Sequence, residues 1–220
     1  MYENIAQNIR DILAELPPDV VLVAAVKKRQ PAEILAAIAA GVKIIGHNYL
    51  SEAEETYPFI GDKAEWHFIG KLQSNKCKKI ARLFSVVETV DSFEIASELN
   101  RRAAEIDKVM SVFIEINSGR EKQKSGVLPE ETVELAKRIS GLSNLKLAGL
   151  MTMGPALEDP EELRTIFRLT KIKFDEIAVM GLPNTELKFL SMGMSVSYKV
   201  AVQEGTNLVR LGTRIFGNRP

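Results

Sequence analysis

At 220 residues, with 45% apolar side chains and 29 basic against 29 acidic groups, the chain has the size and makeup of one soluble globular domain with a full core. A formal net charge of zero with dispersed cations leaves no electrostatic footprint for nucleic acid, and no apolar run approaches the ~20 residues needed to cross a bilayer. The single cysteine, Cys77, excludes an internal disulfide, and neither histidine has a partner at metal-ligand spacing, so no metal is expected.

The chain opens with Ile5, Ile9, Ile12, Leu13 and Leu16 on one face of an amphipathic helix whose acidic residues do not suit a signal or transit peptide. A cytoplasmic location is expected. Short apolar runs then alternate with amphipathic segments, and predict strands near 20–27, 42–46, 65–69, 85–90, 109–116, 145–151, 187–191 and 207–211. The intervening helices carry start signals: Pro31 at a first turn, Asp91 with Glu94 as a capping box, and the run Asp159-Pro160-Glu161-Glu162. Gly41 and Gly181 follow two apolar stripes where a left-handed residue ends a helix. No linker or shift of composition divides the chain, which reads as a single domain over 1–220. Eight strand and helix units predict a closed eight-fold β/α (TIM) barrel with an extra N-terminal helix; an open doubly wound sheet is the alternative.

In such a barrel the chemistry gathers in the loops that follow the strands. Polar residues uncommon in apolar strands do cluster there: Lys28 after strand one, His47-Asn48-Tyr49 after strand two, Gly70 and Gln73 after strand three, Asn117-Ser118-Gly119 after strand five, Met151-Thr152 after strand six. The last two loops are Ser191-Met192-Gly193-Met194-Ser195 and Leu211-Gly212-Thr213-Arg214. Glycines bring backbone N–H groups close to an anion and the hydroxyls of Ser195 and Thr213 add donors, so these loops predict a phosphate site.

A lysine facing that site, partly withdrawn from water, can act as a neutral amine toward a carbonyl. Two carbonyl classes fit the residues: a sugar phosphate, as in a lysine-dependent aldolase, and pyridoxal phosphate. Arg210 favours the second, because an arginine there could reach a pyridine nitrogen, whereas no acid/base network for an aldolase is evident.

The motifs Ala25-Val26-Lys27-Lys28 to Pro31, Gly46-His47-Asn48-Tyr49, Trp66-His67-Phe68-Ile69-Gly70, Leu72-Gln73-Ser74-Asn75-Lys76, Lys124-Ser125-Gly126, Gly149-Leu150-Met151, Ser191 to Ser195 and Val209 to Thr213 together resemble the pyridoxal phosphate homeostasis family, also described as alanine racemase N-terminal-like. The resemblance covers almost the whole chain. It implies the barrel of alanine racemase without that enzyme's second domain, and pyridoxal 5'-phosphate held as an aldimine on the lysine three residues before Pro31, which is Lys28. Strand alternation alone says only that Lys27 and Lys28 face opposite sides. The resemblance further implies a ring-nitrogen contact from Arg210, Asn48 beside the cofactor, and Ser195, Gly212 and Thr213 at the phosphate, with Met151, Ser191 and Gly193 completing the site. It implies a monomer that buffers the cofactor or delivers it to cofactor-dependent apoenzymes without substantial catalysis; an amino-acid racemase and a Schiff-base aldolase are the alternatives, in that order. Lys27, His47 and Ser197 depart from the family pattern, which has serine or threonine, glutamate and aspartate there. His47 is expected to be structural or pH-sensitive, His67 structural, and Cys77 an inert thiol. Met151, Met153, Met192 and Met194 are expected to fill the barrel, with an adaptable cofactor wall as the other reading.

Overall fold

All eight strands form, and they join edge to edge in chain order. The computed structural model describes residues 2–155 and 159–218. Strands β1 (Val21–Ala25), β2 (Ile44–His47), β3 (Glu65–Phe68), β4 (Val86–Val90), β5 (Met110–Glu115), β6 (Leu145–Met151), β7 (Thr185–Ser191) and β8 (Leu208–Leu211) make a closed parallel barrel. Closure occurs between β1 and β8, where Val21 to Ala24 pair with Leu208 to Leu211. The open-sheet alternative is excluded; the seam is narrowest between β7 and β8, which pair at Ser191 and Leu208.

Side chains alternate across this wall with the two-residue period of a strand. Val23, Ile44, Val86, Phe113, Ala148, Met151 and Leu208 pack inside the barrel. Their neighbours Leu22, Ala24, Val26, Ile45, Phe68, Val87 and Leu147 belong to the larger core between the wall and the helices. Each fully buried Val, Leu, Ile or Phe contributes roughly 1.5–3 kcal/mol, so two concentric layers hold the barrel.

The helices α1 (Glu3–Glu15), α2 (Pro31–Ala39), α3 (Leu50–Ile60), α4 (Cys77–Leu83), α5 (Phe93–Ala104), α6 (Thr132–Ser140), α7 (Arg164–Ala178), α8 (Tyr198–Gln203) and α9 (Thr213–Phe216) complete the chain. Helix α1 is the extra element; it buries Ile5, Ile9, Ile12 and Leu16, while Leu13 is 42% exposed and lies off the expected face. Pro31 opens α2 behind a reciprocal cap between Gln30 and Glu33. Asp159 accepts from Glu161 N at 2.9 Å ahead of a 3₁₀ turn that leads into α7. Gly41 (φ +115°) and Gly181 (φ +61°) end their helices in the left-handed region as anticipated. The start of α5 is a correction: Ser92, not Asp91, caps it, its Oγ accepting from Ile95 N at 3.3 Å. Burial raises the Asp91 carboxyl above the usual carboxylate range, against its own backbone hydrogen bond and the pull of Lys71. Among the described residues no helix is long and apolar enough to cross a membrane.

Two of the expectations, for His47 and Cys77, resolve at this level. His47 lies outside the barrel wall, fully buried and stacked on Trp66 at 5.0 Å with the rings 6° from parallel. Its Nδ1 has no hydrogen-bond partner among the described residues, and burial pushes its pKa down to about 4. Cys77 is also fully buried, and burial pushes its thiol up to about 11, which makes it a core side chain and not a nucleophile.

Because His47 charges more readily in the unfolded chain, near pH 6.5, than in the folded one, its contribution to stability is intact above pH 6.5 and is lost as pH falls toward 4. Urea unfolding at pH 7.5 and pH 4.5 is therefore expected to show a larger acid penalty for the wild type than for His47→Phe, by on the order of 2–3 kcal/mol. Equal penalties would mean that the imidazole is solvated.

Candidate functional site

The C-terminal ends of the strands enclose two adjoining cavities of about 400 and 390 Å³. Lys27, Asn48, Ile69, Met153 and Met194 line both and form the partition between them. The first cavity adds Ala25, Ser195, Ser197, Arg210, Gly212 and Thr213; the second adds Tyr49, Lys71, Thr89, Glu115, Lys124 and Ser125. Gly70 closes the wall between the second and third loops. A Cβ there would stand 1.9 Å from Asn48 O, so only glycine lets the two backbones come so close.

The structure does not bring Lys28 to the mouth. Inward positions on β1 run Val21, Val23, Ala25 and, past the strand end, Lys27; Val23 pairs with Arg210, which fixes that face as the interior. The chain then turns, with Lys28 in the left-handed region (φ +58°) and its backbone N–H donating to Glu52 Oε2 at 3.1 Å. Lys28 lines a separate surface groove with Arg29, Gln30, Pro31, Glu52 and Glu55. Counting back from Pro31 selects the lysine that lies outside the mouth cavities, because the turn before α2 does not preserve the strand's register. Lys27 Nζ lies 4.8 Å from the centre of the Tyr49 ring, a cation–π contact, and forms no ion pair with a described carboxylate.

At the opposite end of the first cavity two backbone donors converge. Gly212 N and Arg214 N both donate to Ser195 Oγ at 3.2 Å, beside the Thr213 hydroxyl. These are the donors an anion would use, already aimed at one point. Ser197 holds the loop from the far side, its Oγ accepting from Met194 N at 3.2 Å, so serine at this departure from the family pattern serves the backbone.

Arg210 forms part of the floor, 3% exposed, with Nη2 donating to Thr152 O at 2.9 Å and Nη1 donating to Ser191 Oγ. Burial lowers its pKa against the pull of Glu88 and Glu115. Ser191, Gly193 and Met151 were expected in the site, but none of them lines a cavity. Ser191 lies beneath Arg210, Met151 packs in the interior cluster, and Gly193 supports the floor by accepting Arg210 N on its carbonyl at 3.1 Å. Asn48, Ser195, Arg210, Gly212 and Thr213 do come together at the mouth, and Met153 and Met194 supply the thioethers there.

Sequence reasoning missed the acidic groups. Glu88 is fully buried in β4, with His67 Nδ1 at 2.6 Å from its Oε1 and the Ser191 hydroxyl donating to its Oε2 at 2.6 Å. Burial works against charging His67, but hydrogen bonds with Glu65 and Glu88 outweigh it and push the pKa up to about 9. Glu115, 7% exposed, faces the second cavity, where burial and then Asp91 push its carboxyl up to about 7 despite Arg210, Lys71 and Lys124. The signal was present: each is a lone carboxylate in an otherwise apolar run, Val86-Val87-Glu88-Thr89-Val90 and Val112-Phe113-Ile114-Glu115. Such a residue is almost never buried without a partner or a function.

The fold and mouth define a β/α barrel of the alanine racemase type, and the family model "Alanine racemase, N-terminal domain" matches residues 2–220. An alanine racemase from Clostridium difficile 630, 18% identical with a TM-score of 0.86, covers 99% of this chain with 57% of its own and shares the fold. The chain belongs to the pyridoxal phosphate homeostasis protein family. It is 41% identical over 180 residues to the pyridoxal phosphate homeostasis protein of Aquifex aeolicus, covering 81% of this chain and 78% of that one. It is 38% identical over 222 residues to that of Pasteurella multocida, covering 98% and 95%. PipY of Synechococcus elongatus PCC7942, solved with PLP bound, is similar at 31% identity and a TM-score of 0.88 over 97% of this chain and 100% of its own.

Gly193 offers a test of the floor. It adopts φ +86°, and a Cβ would meet Ala201 Cβ at 2.7 Å and Tyr198 Cα at 2.8 Å. Gly193→Ala is expected to cost roughly 2 kcal/mol or more in chemical denaturation, from backbone strain plus overpacking. A loss under about 0.5 kcal/mol, the range of an ordinary surface substitution, would contradict the packing described.

Proposed function

We propose that the chain binds pyridoxal 5'-phosphate in the first cavity through Lys27 and serves to buffer the cofactor or deliver it, without substantial catalysis of its own. The carrying observation is that one cavity presents a lysine amine, a convergent set of anion donors and a buried arginine. The donor set fits the group. Gly212 N–H, Arg214 N–H and the hydroxyls of Ser195 and Thr213 suit a phosphate dianion, Arg210 suits a ring nitrogen, and Lys27 suits an aldehyde. When bound, pyridoxal phosphate supplies a carbonyl that primary amines capture reversibly.

The protein's side chains have distinct tasks in this reading. Lys27 holds the ligand covalently but reversibly, so that another primary amine can displace it. Ser195 gives up its place between the two backbone amides and joins them as a donor. Arg210, a fixed cation, would face the ring nitrogen and oppose its protonation. Tyr49 packs against Lys27 instead of standing across the pocket from it as a second acid/base group would. Ile69, Met153 and Met194 keep the partition apolar and adaptable. The recipients in this reading are cofactor-dependent apoenzymes, and the protein works as a cytoplasmic monomer.

Lys27→Ala is expected to abolish the visible absorption band formed with pyridoxal phosphate, while Lys28→Ala keeps it; the reverse pattern would restore the register counted from Pro31. Replacing Ser195 and Thr213 together by alanine is expected to weaken affinity by on the order of 1.5–3 kcal/mol per hydrogen bond lost, less than additively, with the spectrum of bound ligand unchanged. An unchanged equilibrium titration would place the phosphate elsewhere. The loaded protein is expected to racemise alanine far more slowly than 1 per second, a rate roughly typical of slow enzymes, and to restore an unrelated apoenzyme. Turnover at or above that rate would overturn the non-catalytic reading.

A further inference from the structure

Under the mouth, hydrogen-bond chemistry gives a buried chain of polar groups a fixed direction. His67 meets a carboxylate at each ring nitrogen, Glu88 Oε1 at 2.6 Å from Nδ1 and Glu65 Oε1 at 3.5 Å from Nε2, so it is doubly protonated and can only donate. Glu88, ionised beside it, can only accept. The single hydroxyl proton of Ser191 therefore goes to Glu88 Oε2 at 2.6 Å, which leaves the oxygen lone pairs to receive Arg210 Nη1. Arg210 and Glu88 do not touch directly, their nearest atoms standing 3.8 Å apart, so the serine is the joint between them. With Nη2 also donating to Thr152 O, two of the five guanidinium N–H groups are used in holding Arg210, and the plane is fixed with donors left for the cavity.

We propose that Glu88 is a positioning residue for ligand recognition: acting through Ser191, it holds the Arg210 guanidinium in the orientation that contacts the ring nitrogen of the bound cofactor. The inference rests on the reading of the first cavity as the pyridoxal phosphate site. Its force lies in polarity and not in charge alone. In Glu88→Gln an amide NH₂ replaces one acceptor. Turned toward Ser191, it reverses the hydroxyl and points a proton at the guanidinium; turned toward His67, it faces another donor. The donor–donor clash with the doubly protonated His67 favours the first orientation, in which the joint between Ser191 and Arg210 fails and the guanidinium is released. Ser191→Ala cuts the same joint without adding a donor or changing a charge.

The test is equilibrium titration of the full chain with two ligands, pyridoxal phosphate and its carbocyclic analogue in which the ring nitrogen is a C–H. The wild type is expected to prefer pyridoxal phosphate, and both Glu88→Gln and Ser191→Ala to lower that preference about tenfold, the scale of one hydrogen bond, while affinity for the analogue changes little. A purely structural role would weaken both ligands in parallel and leave the ratio unchanged, which overturns the proposal. A wild type that binds both ligands equally overturns it too, and one that binds neither overturns the site reading beneath it. If Glu88→Gln does not fold, as measured by circular dichroism, the ligand preference of Ser191→Ala decides between the two roles.

Discussion

In a closed barrel of parallel strands every second side chain must point into a space that water barely enters, and the rest of this structure depends on that alternation. On β1 it carries Val21, Val23 and Ala25 inward and delivers Lys27, the next residue in phase, to the mouth. The pairing of Val23 with Arg210 places the arginine on the same inner face, one strand away. A lysine, an arginine and two convergent backbone amides thus share one cavity because two adjacent strands, β1 and β8, are in phase at the seam where the barrel closes. The ladder from Val21 to Ala24 against Leu208 to Leu211 holds that register.

The same constraint makes the interior costly, since an ion withdrawn from water loses several kcal/mol of hydration unless partners replace it. The barrel meets that cost with a connected set and not with isolated ions. His67 and Arg210 flank Glu88, with Ser191 between the arginine and the carboxylate, and each buried group has a named partner. The pH consequences oppose one another. His67, raised to about 9, contributes stability fully below its unfolded value near 6.5 and loses it as pH rises through 9. His47, lowered to about 4, withdraws stability as pH falls below 6.5. Stability from these two groups therefore peaks near neutral pH. Glu115 is the exception to the pairing: it faces the second cavity with its carboxyl raised to about 7, where small changes in the occupancy of the mouth would alter its charge.

Much of the fold was legible because strands buried on both faces leave apolar runs of characteristic length, and caps such as Asp159-Pro160 leave chemical signatures. The barrel, the extra helix and the polar mouth all follow from those local patterns. What the runs did not carry is phase. Val21 to Val26 is apolar at every position, so nothing within it tells which half of the residues faces inward, and the count from Pro31 chose Lys28, which the structure places outside the mouth cavities. Only the neighbouring strand supplies the phase, through the register of Val23 with Arg210. The cap of α5 slipped by one because Asp91 and Ser92 are both good caps, and only the backbone geometry of the turn selects Ser92. The family resemblance brought Ser191 and Met151 into the expected site; in the structure they sit one layer beneath the residues that line the mouth cavities. Glu88 and His67 are far apart in sequence from Ser191 and Arg210, and only barrel closure joins them.

Everything proposed for the mouth turns on Lys27, and not its neighbour, offering its amine to the cavity. Borohydride reduction of the protein loaded with pyridoxal phosphate, followed by proteolysis and tandem mass spectrometry, assigns the modified residue directly. The reduced adduct is expected on Lys27, with Lys28 unmodified at stoichiometric ligand. An adduct on Lys28, or one distributed evenly over both, would contradict the assignment.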